Sequence, residues 1–420
     1  MNKSLSLLGG IAAVVLLLVV GVAIYVWATI PPGPDPNSLP SSVLEPPSAA
    51  YRDAVEEGRS LARSLLAEEK LPGLSLAVAV NGEIVWAEGF RWADKENQTP
   101  VTPATLFRIG SVSETLTAAA VGLLSERARL DLDAPVQRYV PSFPEKEWPI
   151  STRQLMAHTA GIRHHRGEEE ILRKASCADD AERLAIFAVD PLRFRPGTEY
   201  SYSTYGWVLV GAVVAAAANE PYLEFMQREI LTPLGMENTV PDTAGQTDPG
   251  SAHFYYPRMM LDPRYGLHDA PKVDLSCILP AGGFLSTPSD LVRFGSAMMG
   301  DALLDPATVE ELQTPVRLAS GESTGQALGW VVRRVPMGAA GTPTRIVGQG
   351  LGDAVRRSPL SATTVGGHVS GGTALLITVP EHRIAIAVVT NVSGAENVSL
   401  LSARLADAFI RLHSSNGTHK

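Results

Sequence analysis

Apolar residues run almost unbroken from Leu5 to Ile30, preceded by Lys3 and followed by Pro31-Pro32. At 1.5 Å per residue, about 25 residues span more than the roughly 30 Å hydrocarbon core of a bilayer. The apolar part of a secretory signal is shorter, roughly 7–15 residues, and ends at a small-x-small cleavage site. Val26-Trp27-Ala28 is a poor one, so an uncleaved signal-anchor over 1–30 is favoured over a cleaved signal peptide. Lys3 is its one basic residue and the next is Arg52. That bias leaves the N-terminus in the cytoplasm and the rest outside, as a single-pass protein with its domain on the periplasmic side.

Beyond the anchor the pattern changes. Residues 31–48 are Pro-rich with no burial periodicity, a semi-rigid linker. From Ala49 to Lys70 apolar residues recur at helical spacing (Val55, Leu61, Leu65, Leu66), stopping at Leu71-Pro72-Gly73. Two apolar runs then flank Asn81-Gly82, a strong hairpin signal. A helix starts behind Ser111, and a plausible cap at Thr152 opens another that ends at Gly161. Apolar helices are predicted from Trp207 to Ala218 and Tyr222 to Leu231, and a further one from Asp290 to Met299. After Trp330 the chain turns β-rich, with a second hairpin of Thr373 to Val379 and Arg383 to Thr390. An amphipathic helix from Leu400 to Leu412 closes the fold, leaving 414–420 as a tail. Strands at both ends with helices between predict an α+β fold. One antiparallel sheet is flanked by the terminal helices, with an all-helical lobe inserted, in one domain over 49–413.

Composition adds exclusions. The net charge of −9 across 420 residues, with no basic stripe, argues against a nucleic-acid partner. Cys177 and Cys277 show no metal-ligand spacing, so no metal and no cofactor are expected. One disulfide and two free thiols are both compatible with them.

Five segments carry the chemistry: FRIGSVSETLTAAAV, RQLMAHTAGI, PGTEYSYSTYGWVLVGAVV, LTPLGMENT and AGGFLSTPSDLVRFG. In this order they resemble the serine beta-lactamase-related family of class C beta-lactamases, DD-peptidases, esterases and mitochondrial serine beta-lactamase-like proteins. The mitochondrial members are similar especially in HTAGIRHH and YSTYG. The resemblance covers roughly Ala49 to Phe409 and implies a beta-lactamase/transpeptidase-like fold with the site between sheet and helical lobe. It also implies acyl transfer: a serine in S-x-x-K attacks a carbonyl, a lysine and a tyrosine handle protons, and a third-motif strand supplies a basic residue and an oxyanion donor. Ser111 matches the nucleophile and Tyr202 the tyrosine. Thr204 stands at the usual Asn and can offer a hydroxyl. In Gly366 to Thr373, His368 takes the basic position of the third motif, and Gly371 is expected to bind substrate. A gapless alignment puts Val365 there instead of His368.

Two positions depart from the family. Glu114 replaces the S-x-x-K lysine, and a carboxylate with reference pKa of about 4.3 is a far weaker base than a tuned amine. Ser-x-x-Glu before an apolar helix also reads as a capping box, which would make Glu114 structural. Ile278 stands where close relatives carry a basic residue. His158, at a helix end with no acid nearby in sequence, is assigned a structural role. Two functions follow. One is a membrane-anchored serine hydrolase of a peptide, amide or ester, its activity impaired by Glu114. The other is a catalytically inactive homologue serving as an extracytoplasmic binding or scaffold protein. A small-molecule or peptide partner suits the first, and the sequence leaves the oligomeric state open.

Overall fold

A computed structural model describes residues 32–167, 170, 176–243, 250–259, 262–337, 342–349, 367–395 and 397–417, with isolated positions between 13 and 21. The expected signal-anchor therefore falls almost wholly outside the described residues. Among those described, no single helix is long and apolar enough to cross a membrane. One pair bent by 77°, Thr204–Ala218 with Tyr222–Leu231, passes such a test together, but its first helix is buried in the domain core.

Fourteen strands are described. They are β1 (Ser41–Val43), β2 (Gly73–Val80), β3 (Glu83–Asp94), β4 (Thr99–Pro100), β5 (Phe107–Arg108), β6 (Val240–Pro241), β7 (Tyr255–Pro257), β8 (Leu267–Asp269), β9 (Phe284–Ser286), β10 (Val331–Met337), β11 (Thr342–Gln349), β12 (Gly367–Val369), β13 (Gly372–Val379) and β14 (Ile384–Thr390). The main sheet is antiparallel in the order β1-β3-β2-β14-β13-β11-β10. β4 pairs with β3, and β12 follows β11 along the same edge of β13. The predicted hairpin forms at Asn81-Gly82, both with positive φ (53° and 87°), as a two-residue turn matched to strand twist requires.

The continuous apolar runs are explained by burial on both faces. On β2, Leu74, Leu76, Val78 and Val80 join the core under the helices Arg52–Glu68 and Val398–Gly417. The alternate positions Ala77 and Ala79 face the other core, shared with the helix Pro288–Ala297 and the helical lobe. β14 repeats the division, with Ile384, Ile386 and Val388 on one side and Ala385, Ala387 and Val389 on the other. Small residues on one face let a helix lie close, and large ones on the other fill the space beneath two helices.

In the lobe, the helices Val112–Glu126 and Thr204–Ala218 are buried over most of their surface. Thr117 Oγ1 lies 2.6 Å from the Tyr222 hydroxyl and 2.7 Å from the Pro280 carbonyl, tying three segments at one buried point. Some boundaries differ from expectation, and the helix expected to run to Gly161 ends at Met156. The helix Thr152–Met156 is capped by Ser151, not Thr152, in a capping box with Gln154. The segment after Tyr222 is α-helical only to Met226 and continues as a π turn over Gln227–Leu231. Cys177 and Cys277 form a disulfide across 100 residues.

Candidate active site

The small sheet β5-β9-β6 sets the nucleophile's place. β5 pairs with β9, and the Ile109 N–H donates to Phe284 O at 3.1 Å. The chain then turns at Gly110 into the helix Val112–Glu126. Ser111 occupies the capping position of that helix, but its side chain makes no cap hydrogen bond. Its Oγ lies 2.8 Å from the Tyr202 hydroxyl. The capping box expected for Ser-x-x-Glu is therefore not formed.

Glu114 is fully buried, one turn along, and faces the same group. The Tyr202 hydroxyl donates to Glu114 Oε1 at 2.5 Å. A hydroxyl has one proton, so Ser111 must be the donor in the Ser111–Tyr202 contact. Burial, reinforced by the Glu114 carboxylate, pushes the Tyr202 hydroxyl well above the ordinary tyrosine range. Tyr202 is thus a neutral hydroxyl that accepts from Ser111 while donating to Glu114. A lysine in place of Glu114 would bias it the other way, toward the phenolate.

His158, assigned a structural role from sequence, packs against this cluster. Its Nε2 lies 3.6 Å from Glu114 Oε2, so the acid partner missing from the local sequence arrives from 44 residues upstream. The ring is 2% exposed and stands 4.4 Å from the Tyr202 ring. His164, another residue that sequence reasoning did not assign to the site, lies edge-on to Tyr202 with centroids 5.3 Å apart. Its Nδ1 accepts the Thr204 N–H at 3.3 Å. Burial first, then neighbouring His165, lowers the His164 pKa to about 4, so it is neutral at neutral pH. The signal was present in Arg163-His164-His165-Arg166, a basic cluster that overlaps the HTAGIRHH segment. Arg163 of that cluster is instead engaged by Asp190 at 2.5 Å and Glu170 at 2.9 Å.

The His368 backbone lies on β12 opposite Thr373, and the hairpin closes through Ser370 and Gly371, both with positive φ. The His368 side chain and Val365 lie outside the described residues. Gly371 donates its N–H to Ser393 Oγ at 2.9 Å, an internal bond where the resemblance implied contact with substrate. A Cβ at Gly371 would sit 2.7 Å from the Phe254 Cβ, so a larger residue cannot enter. Thr204, expected to offer its hydroxyl, opens its helix beside His164 and is 7% exposed. Ile278 is 3% exposed and part of the apolar core, next to the disulfide at Cys277.

Arg108 was not singled out from sequence, yet it ties the two halves of the site. Its Nε contacts Asp242 Oδ2 at 2.6 Å, and its Nη1 donates to the Ser370 carbonyl. The guanidinium also lies 4.2 Å from the centre of the Phe254 ring. One buried cation three residues before the nucleophile thus holds the turn of the third-motif hairpin. Elsewhere, ligand atoms of Glu96, His253 and Asp269 converge within 4.8 Å, but on exposed side chains. His253 there pairs with Asp269 at 3.1 Å, and Glu96 accepts from the Tyr255 hydroxyl.

The Beta-lactamase family profile matches residues 59–408. The chain belongs to that family. It is 32% identical over 328 residues to the human mitochondrial serine beta-lactamase-like protein LACTB, taking in 62% of this chain and 59% of that protein. Penicillin-binding protein 4* of Bacillus subtilis is 28% identical over 294 residues, 66% of this chain and 63% of the relative. The chain thus spans about three fifths of the length of these curated relatives. The octameric penicillin-binding protein homologue from Pyrococcus abyssi superposes with a TM-score of 0.68 at 24% identity, over 85% of this chain and 77% of that one. D-amino acid amidase from Ochrobactrum anthropi gives a TM-score of 0.67 at 23% identity, over 87% and 99%. In this beta-lactamase family chain the fold is the expected beta-lactamase/transpeptidase-like one, and the serine and tyrosine meet at hydrogen-bond distance.

Proposed function

We propose that this chain is a serine hydrolase working by acyl transfer on an amide, peptide or ester, with the Ser111 proton leaving through Tyr202 to Glu114. The observation that carries this is the continuous path of 2.8 Å and 2.5 Å from Ser111 Oγ to Glu114 Oε1. Ser111 Oγ bonds to the carbonyl carbon as its proton moves to the Tyr202 oxygen and the Tyr202 proton moves to Glu114. The helix start at Ser111 favours the negative charge that develops on the carbonyl oxygen. Collapse breaks the bond to the leaving group, which takes a proton back from Tyr202 while Glu114 reprotonates Tyr202. Water then releases the acyl group by the same route in reverse. A carboxylate pulls this proton less strongly than an amine, so turnover is slow. The amidase among the structural neighbours supports amide substrates.

One observation favours the inactive homologue as a second reading: the Gly371 N–H is already bonded to Ser393. A fluorophosphonate probe and a p-nitrophenyl ester separate the two. Labelling at Ser111 and hydrolysis that falls to background in Ser111→Ala are expected. An unlabelled, inert full-length chain would overturn the hydrolase reading.

The Cys177–Cys277 bridge supports an oxidising, extracytoplasmic compartment. The apolar segment over 1–30 supports a single-pass membrane anchor.

A further inference from the structure

His158 follows the helix Thr152–Met156 with φ of 56°, a left-handed conformation a histidine adopts at a cost. That conformation presents the ring between two structural anchors and one functional group. Nδ1 faces the Ser203 N–H at 3.2 Å and accepts from it. An Nδ1 that accepts leaves the proton of the neutral ring to Nε2. Nε2 faces Glu114 Oε2 at 3.6 Å. The Trp207 Nε1–H also points at Nε2, at 3.4 Å; a neutral ring accepts on one nitrogen only, and the shorter Ser203 bond together with the carboxylate facing Nε2 favours the Nε2–H tautomer.

We infer that His158 is the positioning residue for Glu114: its Nε2–H, fixed by the Ser203 backbone, points at Oε2 and orients the carboxylate so that Oε1 accepts from Tyr202. This rests on Glu114 receiving the Ser111 proton. The 3.6 Å separation is longer than a hydrogen bond, as catalytic contacts in unliganded sites commonly are. The order of groups becomes Ser111, Tyr202, Glu114, His158. The histidine sits behind the acid, and the acid stands where the family keeps its lysine.

The other titratable groups around the ring are Tyr202, Tyr200 and His164. Tyr202 is neutral, Tyr200 meets the ring edge-on at 5.9 Å, and His164 is neutral with His165 against it. Arg163 is turned to Glu170 and Asp190. His158 also helps hold the His164 pKa down, so His164→Gln run beside the His158 variants separates that contribution from the Glu114 pair.

The test compares the full-length wild type with His158→Leu and His158→Gln, following fluorophosphonate labelling of Ser111 from pH 5 to 9. Removing an N–H that faces a carboxylate raises the carboxyl pKa, so the acid limb in His158→Leu moves to higher pH by about one unit, a tenfold slower labelling on that limb. His158→Gln, which can still donate, stays near wild type. Superimposable profiles, at whatever rate, would overturn the inference and leave His158 a packing residue. Nitrogen-15 NMR of the histidines reads the tautomer without activity. An Nε2–H ring at pH 7 supports the inference in wild type and in Ser111→Ala, and an Nδ1–H ring overturns it. The NMR arm decides if His158→Leu does not fold. If wild type itself does not label, the hydrolase proposal fails, while the NMR arm still reads His158.

Discussion

The two walls of the site are held in opposite ways. On the helical wall, Ser111, Tyr202, Glu114 and His158 are side chains from three segments, meeting through side-chain atoms alone. On the sheet wall, the Ser370-Gly371 turn is fixed through its backbone. Arg108 holds one carbonyl, Ser393 holds one N–H, and the β12–β13 ladder holds the rest. The first wall can change its chemistry by changing one residue, because each neighbour offers a hydroxyl or ring that suits a carboxylate. The second cannot change without moving backbone. This is why Glu114 fits without disturbing the fold, and why the third motif here reads as structure first.

The sharpest way to break the helical wall is Glu114→Gln. Losing the proton acceptor is expected to lower ester hydrolysis by 10²–10⁴-fold, the usual range for general base catalysis, with little change in KM. Equal rates for Glu114→Gln and wild type would show that the proton leaves by another route. The sheet wall breaks at Arg108→Met, which strands Asp242 in a buried place. A loss of about 3–5 kcal/mol in unfolding free energy is expected from denaturant titration. Adding Asp242→Asn should recover much of it, and a double variant as unstable as the single one would rule out the ion pair as the cause.

The smallest effect separates His164 from its neighbours. Its pKa lies near 4 in the fold against 6.5 unfolded, so the unfolded chain binds more protons between those values. Stability should therefore fall as pH drops from about 6.5 to about 4. In His164→Gln the fall in thermal midpoint over that window should be shallower. Parallel curves would place the titration elsewhere.

The sheet and its hairpins were legible because their signals are local. Asn81-Gly82 and the paired runs around Pro380 fix turn, register and faces within twenty residues. Ser111 and Tyr202 were legible through short motifs. His158 was not, since its partner lies in another helix and nothing in the neighbourhood of residue 158 announces a carboxylate. Glu114 was ambiguous for the converse reason. The Ser-x-x-Glu spacing satisfies a capping box equally well, and only the direction of two side chains decides between them. Arg108 escaped because its three contacts lie 134, 146 and 262 residues away.

β2 and β14 are neighbours in the sheet, with Val80 opposite Ile384, although nearly the whole domain lies between them in sequence. A ribosome delivers β2 and β3 early and β14 near the end. Until then the hairpin must wait with its inner edge unpaired and two apolar faces uncovered. The site can assemble only after the chain is almost complete, so a chain cut short before residue 384 lacks the strand that joins β2 to β13.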